Sequence, residues 1–134
     1  MERFGSDEAG FSIDLRGSVV LVRVWGFWAA DLAAEFAPAV LAACRAASRP
    51  LRILLDGARL KPQNDAGEQA FRALFTSISQ SGLTHAALVV TNTLTKMQLK
   101  RITKQLSTCH WVYVATSEVD PDRLPAEDKQ EDWK

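Results

Sequence analysis

The chain holds few of the side chains that commonly act as nucleophiles, bases or metal ligands. It has two histidines, His85 and His110, and two cysteines, Cys44 and Cys109. Each histidine stands at the start of an apolar run, and the cysteines lack the spacing of metal ligands. Nucleophilic catalysis requires a nucleophile, a base and an orienting group within reach, and the sequence offers no such arrangement. We therefore predict no catalytic residue, no metal site, no cofactor and no enzymatic activity.

Polar residues that follow two predicted strands are the first candidates for a ligand site. Asp56 ends one apolar run, and Thr91, Asn92 and Thr93 end the next. Because the carboxyl ends of parallel strands meet at one edge of a sheet, these residues form a predicted ligand rim. Backbone N–H groups of helices that begin there could hold an anion or a polar ligand. The alternative is that the four residues only cap helices and close turns.

Three large aromatic residues surround Gly26 between a predicted strand and a predicted helix, namely Trp25, Phe27 and Trp28. Exposed aromatic side chains favour contacts with partner proteins, and Trp28 is therefore a candidate surface contact. The alternative is that these side chains fill the core at the end of the helix.

A second candidate contact surface lies on the third predicted helix, where Lys96, Lys100 and Lys104 recur every four residues. The predicted inner face of this helix consists of Met97, Leu99, Ile102 and Leu106. Residues 69–117 include five basic residues and no acid, whereas residues 118–134 include seven acids and three bases. A basic helix face without acids could attract an acidic partner or a lipid headgroup. The alternative is that the row is only a solvated face.

The composition is typical of one globular domain. The chain has 134 residues, of which 47% are hydrophobic and 24% are charged, and its formal net charge is zero. This balance argues against a dedicated nucleic-acid-binding protein. No apolar run is long enough to cross a bilayer, and the polar N-terminus does not resemble a signal peptide. We predict a cytoplasmic location, no nucleic-acid partner and no stable membrane insertion.

Hydrophobic periodicity predicts strands that alternate with helices. Two β-branched or alternating runs are followed by three repeats of a helix and a strand, in the order β-β-α-β-α-β-α-β. This order predicts an α/β fold with a mainly parallel sheet and one antiparallel edge strand at the N-terminus. We divide the chain into a flexible N-terminus at 1–10, an α/β domain at 11–116 and an acidic C-terminal tail at 117–134.

Two stretches resemble the STAS domain of sulfate transporters and anti-anti-sigma factors, together with the related SpoIIAA-like proteins. Val19–Asp31 resembles the second strand of that family, which runs through a glycine into the first helix. Ile53–Asp56, followed by a loop and by Asn64–Gly67, resembles a strand that ends in aspartate and an Asp-Ser-Ser/Thr-Gly segment at the start of a helix. The resemblance covers residues 11–115 and implies a SpoIIAA-like fold.

The same resemblance implies a site for a partner protein at the start of the second helix. Its predicted members are Asn64, Asp65, Gly67 and Glu68. In the signalling proteins of the family, a partner kinase phosphorylates the serine that corresponds to Asp65. Because this chain has aspartate there and Ala66 next, it lacks that phosphoacceptor, and a fixed carboxylate could resemble a phosphorylated state. The alternative is that Asp65 only caps the helix, since Asp65 and Glu68 have the spacing of a capping box.

These observations favour a non-catalytic regulatory module that binds a protein partner, with homodimerisation as a further option. The alternative is a small-molecule or lipid-binding carrier of the SpoIIAA-like type, with a cleft near the aromatic residues at 25–28. A carrier predicts an apolar pocket of several hundred Å³, on the order of the volumes known for ligand sites. An interaction module predicts a filled core and an exposed patch near Asp65.

Overall fold

The computed structural model describes residues 2–47, 52–80, 85–104 and 110–114. The predicted acidic tail at 117–134 lies outside these residues. Six strands and three helices follow one another along the chain: β1 Glu2–Gly5, β2 Gly10–Arg16, β3 Val19–Gly26, α1 Ala30–Ala46, β4 Arg52–Leu60, α2 Asp65–Gln80, β5 His85–Val90, α3 Thr93–Thr103 and β6 His110–Val114.

All six strands form a single sheet in which their order follows the chain. The strands β1, β2 and β3 pair antiparallel, and β3, β4, β5 and β6 pair parallel. Each parallel pair is connected through one helix, as expected because a parallel connection must return to the same end of the sheet. The predicted α/β class and the mainly parallel sheet are confirmed.

The N-terminal segment differs from the prediction, because it contains the additional edge strand β1. Residues 1–10 were expected to be flexible, yet Glu2–Gly5 pairs with Gly10–Ile13 of β2. Phe4 stacks on Phe11 with ring centroids 4.6 Å apart, and this contact anchors the strand to the core. One apolar residue among polar neighbours gives too weak a periodic signal to predict such a short strand.

The strand β4 also extends beyond the predicted end at Asp56. It continues to Leu60, and the next residue, Lys61, donates its backbone N–H to the carbonyl of Gly26. Gly57 makes this continuation sterically feasible, because a Cβ atom there would lie 3.0 Å from the carbonyl oxygen of Val89. Glycine therefore marks a close approach between strands here and does not mark the end of one.

All three helices pack on one face of the sheet, which we call the helix face. Their apolar side chains form one cluster with alternate residues of β2–β5. The opposite face, which we call the far face, carries a separate buried cluster of Leu21, Leu54, Ala87 and Val89. Burial of apolar surface on this scale, at about 25 cal/mol per Å², supplies the main stabilisation of the fold.

The buried side of α3 differs from the predicted one. Met97 was expected to face the core but is 61% exposed, and Thr95 and Thr103 are buried beside Leu99 instead. The two threonine hydroxyls donate to backbone carbonyls, at 3.3 Å to Leu60 and at 3.0 Å to Leu99, so their burial leaves no unsatisfied group. In the described part of the chain, no helix is both long and apolar enough to cross a membrane.

Candidate functional site

The carboxyl ends of the parallel strands meet at one edge of the sheet, where the chain enters each helix. The loop 27–29 leads from β3 into α1, the loop 61–64 leads from β4 into α2, and residues 91–92 lead from β5 into α3. We call this the carboxyl edge. Open α/β sheets bind their ligands and partners at such edges because the connecting loops are free of sheet pairing there.

Gln63, a buried polar residue, holds the first two of these loops together. Its side-chain oxygen accepts the backbone N–H of Trp28 at 3.0 Å. Its amide nitrogen donates to the carbonyls of Gly26 at 2.9 Å and of Lys61 at 2.6 Å. Since each bond joins a different point of the backbone, the two loops have a fixed relative position.

Gln98 connects the same loop to α3. Its side-chain oxygen accepts the backbone N–H of Gln63 at 2.9 Å, and its nitrogen donates to the carbonyl of Gln63 at 2.8 Å. The two glutamines therefore fix all three helix entries relative to one another. Neither glutamine was predicted as a site residue, because an isolated glutamine in a loop or on a helix has no periodic or motif signal.

Asn64, and not Asp65, caps α2. The N–H of Gly67 points at Asn64 Oδ1 over 3.4 Å, and the N–H of Glu68 donates to the carbonyl of Asn64 at 2.9 Å. Asp65 is the first residue of the helix, so the predicted capping box is wrong. Asp65 is exposed, and its carboxylate makes no hydrogen bond or ion pair with any described residue. The helix N-terminus stabilises a negative charge at this position.

The other two residues of the predicted partner site have structural roles. Gly67 is buried, and a Cβ atom there would lie 2.7 Å from Cβ of Gln63, so the glycine makes room for that side chain. Glu68 accepts a bond of 2.8 Å from Arg101 of α3 and lies 3.6 Å from Arg72. The structure therefore leaves Asn64 and Asp65 as the accessible part of the predicted site.

Three residues of the predicted ligand rim make local hydrogen bonds to the backbone. The hydroxyl of Thr91 donates to the carbonyl of Ala58 at 2.6 Å, and Asn92 Oδ1 accepts the N–H of Thr95 at 3.1 Å as the cap of α3. Thr93 is exposed in the first turn of that helix. Asp56 lies within β4 on the far face, where its carboxylate accepts the N–H of Ala58 at 3.2 Å. The alternative interpretation, capping and turn closure, describes Thr91 and Asn92.

The aromatic residues around Gly26 separate into three environments. Trp28 is fully buried, so the prediction that it contacts a partner at the surface is wrong. Its indole N–H is shared between the carbonyls of Gly10 at 3.2 Å and Trp25 at 3.1 Å. Trp25 is buried against the far face, and only Phe27, at 49% exposure, reaches the surface.

The basic row was predicted on the outer face of α3; Lys104 is exposed there, whereas Lys96 and Lys100 are half-buried. Two apolar side chains accompany it in the first two turns of the helix, because Leu94 and Met97 are each 61% exposed. A contiguous exposed apolar patch can mark a contact surface.

The carboxyl edge thus presents one exposed surface, which we define by Phe27, Asn64, Asp65, Leu94 and Met97. The helices lie side by side in chain order, so Asn64 and Asp65 at the start of α2 have Phe27 on one side. Leu94 and Met97 lie on the other side, at the start of α3. A carboxylate therefore stands between two apolar contacts, a pattern that suits a partner protein.

Among the described residues, the apolar side chains between the sheet and the helices form one buried cluster. Near Gln63, Phe71 and Leu99 a cavity of about 10 Å³ remains, which is too small for an organic ligand. On the outside of the helices, a groove of about 420 Å³ runs between α1 and α2 and is lined mainly by alanine. The groove begins beside Ala66 and is therefore next to Asp65.

The two histidines lie at the opposite edge from this surface. His85 begins β5, His110 begins β6, and the two residues are direct neighbours in the register of the parallel pair. Their position at the amino ends of the strands agrees with the sequence prediction and separates them from the carboxyl edge.

Comparisons with known proteins identify the fold. No family model matches the sequence, and no curated protein matches it either. The structure is similar to that of an uncharacterised protein of the DUF3478 family from Shewanella loihica PV-4, which has a SpoIIAA-like fold. The two chains share 14% sequence identity with a TM-score of 0.64, and the match covers 89% of this chain and 94% of the other. The chain therefore has a SpoIIAA-like fold.

Proposed function

We propose that the chain is a non-catalytic regulatory module, of the kind found in bacterial signalling, that binds a protein partner through the carboxyl edge. The observation that carries this proposal is the distribution of exposed apolar side chains. Within the described residues there are four large exposed ones, and Phe27, Leu94 and Met97 are all at this edge. The fourth, Leu15, lies near the end of β2, at the edge of the sheet opposite the carboxyl edge.

The glutamine pair supports the proposal because it gives this surface a fixed shape. Gln63 and Gln98 hold the three loops that present the exposed side chains. A preformed surface loses little conformational entropy when it binds, which favours affinity for one partner. The resemblance to STAS domains adds support, because it places the partner site at the start of α2.

Charge indicates the chemistry of the partner. Lys61 is exposed in the loop before α2, and α3 carries basic residues with no acid in its sequence. We therefore propose a partner whose apolar contact carries a cation opposite Asp65 and carboxylates opposite Lys61 and α3, since complementary charge accelerates association and sets orientation. We also propose a cytoplasmic location for the complex.

Asp65 is proposed to act as a permanent charge within the surface. It corresponds to the phosphoacceptor of the STAS signalling proteins. Asn64 caps the helix, so the Asp65 carboxylate is not needed as a cap. Its carboxylate carries less charge than a phosphoserine, so it would reproduce only part of a phosphorylated state. On this account the chain binds its partner without a phosphorylation switch at that position.

A small-molecule or lipid carrier is the second candidate function. The groove of about 420 Å³ between α1 and α2 favours it, because its volume is within the range of ligand sites. On the helix face, the buried side chain of Trp28 fills the space beside Gly26, and this observation favours the interaction module.

Native mass spectrometry of the chain, purified gently from its own host, distinguishes these functions. We expect a protein to co-purify with the wild type and to be lost in Asp65→Arg, since reversing the charge at the centre of the surface opposes the contact. Glu35→Arg is the matched control, because Glu35 is an exposed acid on α1, and it should retain the partner. A bound small molecule at one equivalent that survives in Asp65→Arg, with no protein partner, would favour the carrier instead.

A further inference from the structure

The far face contains a cavity of about 220 Å³ at the carboxyl ends of β3 and β4. Three arginines line it, together with one acid, one hydroxyl and one indole. These residues are Arg3, Arg23, Arg59, Asp56, Ser12 and Trp25. The cavity is separate from the carboxyl-edge surface, which lies on the side of the helices, and the proposed function does not use it.

The sheet register explains why these side chains meet. Arg3 of β1 is paired with Ser12 of β2, Ser12 with Arg23 of β3, and Arg23 with Asp56 of β4. Directly paired residues of adjacent strands point to the same face, about 4.8 Å apart. The four side chains therefore form one row across the sheet, in which the Ser12 hydroxyl stands between two arginines.

The positive charge in this cavity is only partly neutralised. Arg23 lies 3.7 Å from Asp56, so one guanidinium has a carboxylate partner. Arg3 pairs with Asp7 at 2.6 Å, but the Asp7 side chain is 98% exposed, and such a pair is weak in water. Arg59 is exposed and makes no ion pair with a described residue. The lining thus has three positive charges and one negative charge.

Ser12 gives an independent indication of a ligand. It is 6% exposed, and its side chain makes no hydrogen bond to any described residue. Buried hydroxyls in folded proteins nearly always have a partner, because an unsatisfied one is costly. The hydroxyl lies in the wall of the cavity, so a group bound there could accept a hydrogen bond from it.

Trp25 forms a fixed wall of the cavity. Its indole N–H donates to the carbonyl of Ser6 at 2.8 Å, and the ring lies across Gly10, where a Cβ atom would be 2.8 Å from Cζ2. Arg3 is positioned over the ring with its guanidinium carbon 5.0 Å from the centroid. The indole thereby orients one of the arginines before any ligand binds.

We propose that this cavity binds a small oxyanion of the phosphate type, either free phosphate or a phosphomonoester group. Guanidinium groups bind phosphate through parallel N–H bonds, and a doubly charged anion would match the excess positive charge of the lining. The Ser12 hydroxyl would donate to a phosphate oxygen. Asp56 keeps Arg23 in place and does not itself contact the anion.

Isothermal titration of the full chain with inorganic phosphate, at constant ionic strength in a phosphate-free buffer, tests this proposal. We expect saturable binding at one site per chain. Arg59→Gln should weaken it roughly tenfold, since one charge-assisted interaction is lost, and Ser12→Ala should weaken it several-fold. Arg59 is an exposed residue near the end of β4, so this variant is expected to fold normally.

Arg52→Gln is the matched control, because it removes an exposed arginine from the other end of the same strand. It should leave phosphate binding unchanged. If the wild type shows no saturable binding, the cavity does not bind phosphate and the proposal is wrong. If Arg52→Gln weakens binding as much as Arg59→Gln, the effect reflects net charge, and the proposal is wrong for that reason. Titration with a phosphomonoester then distinguishes the two sources of the anion, since tighter binding than that of free phosphate indicates a larger ligand.

Discussion

Replacing Trp28 with alanine is expected to lower the free energy of unfolding by about 3–5 kcal/mol, the usual cost of removing a large aromatic side chain from a core. The indole is completely buried, stacks on Phe71 with ring centroids 5.1 Å apart and contacts Phe36 at 4.7 Å. Its removal also leaves the carbonyls of Gly10 and Trp25 without their shared donor. Urea denaturation followed by circular dichroism measures the change.

The neighbouring residue supplies the control for this experiment. Phe27 is 49% exposed, so Phe27→Ala should change stability by about 0.5 kcal/mol or less. Trp28→Phe separates packing from hydrogen bonding, because it keeps an aromatic ring and loses the N–H donor. Equal losses for Phe27→Ala and Trp28→Ala would contradict the assignment of Trp28 to the core.

Gln63→Ala is expected to cost about 3 kcal/mol of unfolding free energy, although it removes no apolar group. Three backbone groups lose their partner, those of Trp28, Gly26 and Lys61. Each hydrogen bond makes a net contribution of about 1 kcal/mol to the free energy of unfolding. Leaving one buried partner unsatisfied lowers this free energy more than removing both partners together. The same denaturation experiment measures this loss.

Gln69→Ala is the control for the glutamine variant. Gln69 is exposed on α2, and alanine is the better helix former, so this change should leave stability unchanged or raise it slightly. Gln63→Glu keeps the acceptor for the Trp28 N–H and loses the two amide donors, so it should also destabilise the chain. A cost below about 1 kcal/mol for Gln63→Ala would show that the loops do not depend on this side chain.

The fold was predictable from the sequence because its main signals are local. Five strands and three helices were predicted in the observed order, because β-branched runs show the two-residue period of strands and apolar stripes show the 3.6-residue period of helices. The predicted strand bounds were wrong where contacts between residues distant in the sequence determine the structure. Glu2–Gly5 forms a strand through the stacking of Phe4 on Phe11, and β4 continues past Asp56 because Gly57 lets two strands approach closely.

The candidate site was less predictable than the fold. The sequence identified Asn64 and Asp65 through the family resemblance, but Gln63 was overlooked because its three partners are distributed over two loops. Trp28 and Phe27 are adjacent and chemically similar, and Trp28 is the buried one, held by its hydrogen bonds to Gly10 and Trp25 and by its stacking on Phe71. Met97 was assigned to the core because single-sequence periodicity cannot anticipate that threonines will occupy the buried side of α3.

The measurement that tests the central claim most directly is the affinity of the co-purified partner for a chain with an altered carboxyl edge. Leu94→Asp combined with Met97→Asp places two charges in the apolar part of the surface, and Leu15→Asp makes the same change at an exposed leucine outside it. Our account predicts that the double variant binds on the order of 100-fold more weakly, as loss of central contacts in an interface would cause, and that Leu15→Asp binds like the wild type. Unchanged affinity in the double variant, with the expected loss in Leu15→Asp instead, would contradict the account and move the partner site away from the carboxyl edge.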